Sequence, residues 1–349
     1  MEGGNLELSR YRDKSYLVNY ELTIDIFESF GLIVDDIVPV RSVFMLYTNK
    51  GAKILKKIDY SLGELEYINS LMRYVNKNGY KYIAPFMNTV DGNFYLKRPD
   101  GIYVVIDLIE GREADFQNPI DLSSVSKALC RFHNSTRGFT CTIEKRNNLN
   151  KWIMTFERRA SDLVKFREIA SLHEIKTGFD NLYLKYVDEY LDEAKESITL
   201  LKESPYPKLC TESYNNKNVC HHDLAYHNII INSENDVYLV DFDYCIADLR
   251  IHDIGNLIVK AIKNCKWDIE KAKKIIEDYS SVDALKSEEL QVLYDFLIFP
   301  QDFYDISRCY YMKTKNWDEY DFLSRLETKA GYYDDRKTFF NNFKQGIAF

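Results

Sequence analysis

Residues Cys220–Asp253 read CHHDLAYHNIIINSENDVYLVDFDYCIADLRIHD. Within this stretch His221, Asp223 and Asn228 form the pattern H-x-D-x-x-x-x-N, and Asp241 follows thirteen residues after Asn228. Ile229–Ile231 and Val237–Val240 are β-branched or apolar, and Ser233-Glu234-Asn235-Asp236 is a polar turn, so the spacing predicts strand, turn, strand. A tight hairpin brings Asp241 back beside Asn228, which is what phosphoryl transfer at a kinase-type site requires. Asp223, with His221 in the same motif, would accept or orient the proton of the nucleophile. The amide oxygen of Asn228 and the carboxylate of Asp241 would hold Mg²⁺ against nucleotide phosphates, since Mg²⁺ prefers hard oxygen ligands and keeps several waters. His221, His222 and His227 also invite a zinc reading, but their spacing is not that of a paired-ligand helix motif, and neither Cys-x-x-Cys nor His-Glu-x-x-His supports it.

The rest of the chain agrees with a folded, soluble protein. Its 349 residues are 46% apolar and 29% charged, enough for a large core in one two-lobed unit or two domains. The net charge of −8 argues against nucleic acid as partner, because phosphate backbones demand a basic footprint. Seven cysteines, odd in number and widely spread, predict reduced and mostly buried thiols made in a cytosol. The opening MEGGNLELSR is not a signal peptide, and no apolar run approaches the ~20 residues of a membrane span. Tyrosine is abundant, at 27, which reads as half-buried packing or as an adhesive, cross-linkable surface.

Periodicity predicts a leading helix up to about Phe30, a strand over Val40–Thr48, a turn at Asn49-Lys50-Gly51 and a second strand over Ala52–Ile58. Ser61 with Glu64 reads as a capping box for a helix whose apolar face is Leu65, Ile68, Met72 and Val75. Phe94–Lys97 and Tyr103–Asp107 read as further strands, the first hairpin-linked by Asp91-Gly92. Beyond Gly111 the chain is mostly helical, with segments near 121–135, 150–171, 180–203, 253–264, 268–279, 287–299, 300–313, 317–330 and 335–345. The expectation is an α+β, protein kinase-like, two-lobed fold. It pairs a small β-rich lobe over 1–108, with its leading helix, antiparallel sheet and one helix, with a large helical lobe over 109–349 that carries the hairpin 221–243.

A kinase-type site also needs a cation for the α/β-phosphates on the third strand, steadied by a helix glutamate. Lys56 closes the apolar run Ile54-Leu55 and is preferred over Lys53 and Lys57; Glu64 or Glu66 is its expected partner. No G-x-G-x-x-G or Walker A is present. The turn Pro39–Val43 stands in the expected place, with Ser42, Arg41 and backbone N–H groups to meet phosphate at less close approach than glycine allows.

These motifs resemble those of the aminoglycoside phosphotransferases and choline kinases, atypical relatives of protein kinases, and most closely the CotS family of spore coat proteins of endospore-forming bacteria. The resemblance runs from about Leu32 to the C-terminus. It is carried by Ile109–Glu113, CHHDLAYHN, Val240–Cys245 and Leu297–Phe303. It implies that Asp223 matches the catalytic aspartate, Asn228 and Asp241 the metal ligands, and Lys56 the phosphate-binding lysine. Asp253 matches the aspartate that braces the catalytic loop. Asp107–Glu110, Ile109 included, matches the hinge whose backbone meets adenine. His222 replaces a glycine common in the larger group (H-G-D). The implied function is a kinase-like spore coat protein that uses ATP and Mg²⁺ to phosphorylate a hydroxyl of a small molecule or polymer, among other coat proteins. The alternative is an inert kinase-fold component of the coat.

Overall fold

The alternating stretch from Val34 to Ile58 folds as three antiparallel strands, β1 (Val34–Val40), β2 (Val43–Thr48) and β3 (Gly51–Ile58). A single strand was expected over 40–48. Instead the chain reverses at Arg41-Ser42, with Arg41 in the left-handed region at φ 55°. Asp35, Asp36 and Pro39 depress the strand signal of β1; its place at the sheet edge tolerates a proline that lacks an N–H. This computed structural model describes residues 22–141, 143–263 and 265–346, so the part of the expected leading helix before Leu22 lies outside the described residues.

The first sheet is completed by β4 (Leu96–Arg98) and β5 (Gly101–Asp107) in the order β1-β2-β3-β5-β4. The expected Asp91-Gly92 hairpin is a separate turn, with Gly92 N–H donating to Thr89 O at 2.9 Å; Pro99-Asp100 joins β4 to β5 instead. Helix α1 (Ile24–Ser29) sets Ile26 and Phe27 into a core with Leu46, Leu55 and Val105. Helix α2 (Leu62–Lys77) starts at the Ser61/Glu64 capping box and buries Leu65, Ile68, Met72 and Val75.

A second small sheet joins β6 (Arg112–Glu113), β7 (Ile229–Ile231) and β8 (Val237–Leu239). Gly111 allows it: a Cβ there would stand 2.5 Å from Ile231 O. Val240 N–H donates to Asn228 O at 3.0 Å and closes the hairpin, while Leu239 N–H reaches Tyr82 O at 3.1 Å. Residues 22–113 and 227–243 therefore belong to one compact unit, whereas the expected division near 108 set the whole hairpin with the helices.

The other unit is helical. It comprises α3 (Pro119–Thr136), α4 (Trp152–Leu172), α5 (Gly178–Glu203), α6 (Tyr206–Asn216) and α7 (Arg250–Ile262). It continues with α8 (Ile269–Ser280), α9 (Ser287–Ile298), α10 (Gln301–Tyr311), α11 (Glu319–Ala330) and α12 (Tyr333–Gly346). Helix α6 was not expected, because Pro205-Tyr206-Pro207 reads as a breaker. Proline is tolerated in a first turn, where its missing N–H has no helical partner anyway. Several of the abundant tyrosines are core here. Tyr190 and Tyr183 stack on Phe303 at 4.1 and 5.4 Å, and their hydroxyls donate to Lys329 O and Leu163 O. All seven cysteines are free, and among the described residues no helix is long and apolar enough to cross a membrane.

Candidate functional site

In the sheet unit, β3 carries Lys56 and the chain leaves β8 into Asp241, which sits at φ 62°. A non-glycine residue in that region is strained, and such strain gathers at functional positions. Lys56 Nζ donates to Asp241 Oδ1 at 2.8 Å and meets Asp243 Oδ2 at 2.5 Å. Tyr60 O–H donates to Asp243 Oδ1 at 3.0 Å. Burial opposes the Lys56 charge, but Asp243 and Asp241 outweigh it and hold its pKa above the ordinary lysine value. Burial in turn raises the Asp243 carboxyl, against the pull of Lys56. A cavity of about 40 Å³ adjoins this cluster, with Ile68, Met72, Phe86 and Phe242 in its wall. Asn228 is buried at the same open end of the hairpin, where its carbonyl accepts the Val240 N–H at 3.0 Å.

In the helical unit, Asp253 near the start of α7 is fully buried and organises the segment His221–Asp223. Its Oδ2 accepts the His221 backbone N–H at 2.7 Å, its Oδ1 accepts that of His222 at 3.0 Å, and His133 Nε2 lies 3.0 Å from Oδ2. Burial would raise the Asp253 pKa; the histidine contacts of His133 and His252 overcome this and hold it well below the carboxylate range. His221 has no exposed surface, and its Nδ1 accepts the Asp223 N–H at 3.4 Å, so the histidine supports the loop instead of facing a ligand. Asp223 is partly exposed and takes a bond from Lys260 Nζ at 3.1 Å.

His222 has φ 71°, the left-handed conformation that glycine adopts without strain. Its ring stacks on His252 at 3.6 Å and lies 2.9 Å, through Nε2, from Asp248 Oδ2. Asn148 Nδ2 and Trp152 Nε1 donate to the same oxygen, at 2.7 and 3.2 Å. Asp248 is thus a buried hydrogen-bond hub whose oxygen is already engaged, and burial is outweighed by the His222 bond, so its pKa is lowered. Of the three histidines in the zinc reading, His222 alone belongs to this cluster, in which the ligand atoms of His222, Asp248 and His252 lie within 4.8 Å of one another.

Other expected residues fall elsewhere in the sheet unit. Glu64 caps Ser61, with Oε2 2.9 Å from the hydroxyl, while the carboxylates that hold Lys56 are Asp241 and Asp243. Lys53 instead pairs with Asp107 at 2.6 Å. Ser42 is exposed at the β1–β2 turn, beside Arg41, which pairs with Glu113 at 3.1 Å. Ile109 lies two residues past the end of β5. Sequence reading missed Asp243, Asp248 and Lys260. The Asp241-x-Asp243 spacing was a usable signal for the first; nothing local marks Lys260.

The family model described as spore coat putative kinase YutH matches residues 23–343. Spore coat protein S of Bacillus subtilis (strain 168) is 24% identical over 315 residues, covering 87% of this chain and 89% of that protein. Among solved structures, an aminoglycoside phosphotransferase from Alicyclobacillus acidocaldarius superposes with a TM-score of 0.81 at 20% identity, covering 93% of this chain and 96% of that one. A spectinomycin phosphotransferase in complex with ADP and spectinomycin superposes with a TM-score of 0.66 at 12% identity, covering 92% and 97%. The α+β fold is therefore that of the aminoglycoside phosphotransferases, and the chain belongs to the spore coat putative kinase YutH family, as a kinase-like protein of the spore coat.

Proposed function

We propose that the protein is a phosphotransferase that uses ATP with Mg²⁺ on a hydroxyl acceptor within the spore coat, in association with other coat proteins. The observation that carries this reading is the cluster of Lys56 with Asp241 and Asp243, an ammonium and two carboxylates held together from β3 and the end of β8. Asn228 and Asp241 offer hard oxygens that suit Mg²⁺, which would screen the charge of the phosphates; Lys56 would pair with the α/β-phosphates. The backbone of Asp107 and Ile109 would meet adenine, and Ser42 the phosphate tail. Asp223 would take the acceptor proton, with Asp253 and His221 fixing its loop. General acid–base assistance of this kind is worth roughly 10²–10⁴-fold. One observation favours an inert coat component instead: the β1–β2 turn has no glycine, and its Arg41 is already paired with Glu113.

Melting with and without Mg-ATP, together with γ-phosphate release, separates the two. Ligand bound only to the native state raises the melting temperature. Asp241→Asn should remove the metal-dependent part of that rise. Asp223→Asn should keep it within a few-fold of the wild-type affinity and abolish phosphate release. No rise in the wild type, or equal release by Asp223→Asn, returns the protein to the inert reading.

A further inference from the structure

The helical unit encloses a cavity of about 410 Å³, within the range of small-molecule sites. Its apolar wall is aromatic, with Trp152 against Phe296 at 4.7 Å and Phe156 stacked on Phe299 at 3.9 Å. Flat aromatic faces suit ring-shaped ligands with an apolar side. Lys260 lines the same cavity and bonds Asp223, so one side chain joins the cavity wall to the group assigned above as proton acceptor.

The polar groups decide what the cavity takes. Two carboxylates line it, Asp302 and Asp305, and both are engaged. Asp302 is held by Lys329 at 3.1 Å and Lys263 at 3.7 Å. Asp305 accepts from Gln301 Nε2 at 2.7 Å. Donors are in better supply. Arg159 donates to the Gln301 amide oxygen and has no carboxylate in ion-pair range among the described residues. Lys260 and Lys263 add two ammonium groups; each already meets one carboxylate, Asp223 and Asp302, and an ammonium carries three donors. The indole N–H of Trp267, 3% exposed and in the same wall, is buried without an acceptor. An amine ligand needs unengaged carboxylates, because a buried charge without a partner is strongly disfavoured. This wall offers donors to a ligand rich in acceptor oxygens.

We propose that the cavity binds a polyhydroxylated ring carrying a carboxylate, a hexuronic-acid unit, as the acceptor, and that it rejects amines. The assignment as acceptor rests on the phosphotransferase reading; the charge preference does not. In the transfer, a ring hydroxyl oxygen bonds to the γ-phosphorus and the bond from that phosphorus to the β-phosphate bridging oxygen breaks. ADP leaves, and the hydroxyl proton passes to Asp223.

Glucuronate, glucose and glucosamine present one ring with negative, neutral and positive charge. Each is titrated into the full chain at neutral pH, with the fluorescence of Trp152 and Trp267 as signal. Glucuronate should bind about tenfold more tightly than glucosamine, with glucose between, one charge-assisted hydrogen bond being enough for that ratio. Arg159→Gln and, separately, Lys263→Gln should compress the series to about twofold. Glucosamine binding as tightly as glucuronate, or no saturable change with any of the three, overturns the proposal. The Mg-ATP melting shift is measured on the same samples. Its absence removes the phosphotransferase reading, while the order of the three sugars still decides the chemistry of the cavity.

Discussion

Replacing Asp253 by asparagine keeps the side-chain shape and removes the charge on which three donors converge: the backbone N–H groups of His221 and His222, at 2.7 and 3.0 Å, and His133 Nε2, at 3.0 Å. A hydrogen bond to a charged group is worth a net ~1.5–3 kcal/mol, and the new amide N–H₂ would face a backbone N–H it cannot accept from. Losing roughly two such bonds at a site with no solvent access should destabilise the helical unit by about 3–5 kcal/mol. For a unit of this size that lowers the melting temperature by roughly 6–20 °C. The pH dependence follows from the depressed pKa of Asp253, where the histidine contacts prevail over burial. An acid with a lowered folded pKa contributes fully above its unfolded value, ~3.9, and loses the contribution as pH falls toward the folded value. The gap in melting temperature between wild type and variant should therefore stay level from neutral pH down to about 4 and narrow below it. Near-UV circular dichroism melts across that range measure it. A gap below about 2 °C, or one that already closes above about pH 5 where a histidine titrates, refutes the assignment of Asp253 as the charged centre of the loop.

Asp295 of α9 behaves oppositely. Burial pushes its carboxyl up to about 7, with Lys344 opposing and Glu196 adding, and its Oδ2 has no hydrogen-bond partner. An acid with a raised folded pKa destabilises as pH rises through the window between its unfolded and folded values. Asp295→Asn should accordingly stabilise the protein above that window, by roughly 1–3 kcal/mol once the orphaned amide is allowed for, and be neutral near pH ~4; calorimetry at the two pH values checks it. Gly111→Ala would drive a Cβ to 2.5 Å from Ile231 O. It should loosen the β6–β7 pairing by roughly 1–3 kcal/mol, seen as faster amide exchange of Ile231 with the helices and the Leu239 amide, bonded to Tyr82 O, unchanged.

Much of this architecture was legible because its signals are local. The Ser61/Glu64 capping box, the Asn49-Lys50 turn and the polar tetrad Ser233–Asp236 each specify a boundary through chemistry that their own residues supply. Strand β1 and helix α6 were hidden because Pro39 and Pro207 sit where proline is tolerated only by virtue of an edge or a first turn, and neither fact is visible in a linear pattern. At the site, the motif spacing pointed to Lys56, Asp223, Asn228 and Asp241. It did not reveal Asp243 at Lys56, nor Lys260 at Asp223, since these pairings join residues 187 and 37 positions apart in sequence (243 − 56 and 260 − 223). The glycine that the larger group favours at 222 has its counterpart in the φ of 71° there, where this chain holds a histidine through Asp248 and His252.

The clamp on Lys56 has a consequence for thermodynamic coupling. A lysine that already holds two tethered carboxylates carries its own competitor, present at the effective concentration of an intramolecular group, ~mM or above. Any phosphate arriving at Lys56 must exchange with Asp241 or Asp243. A divalent cation that engages Asp241 loosens that hold, so cation and phosphate each make room for the other. Linkage then requires the two affinities to rise by the same factor, and a phosphate ligand offered without a cation meets a lysine whose charge is already spoken for.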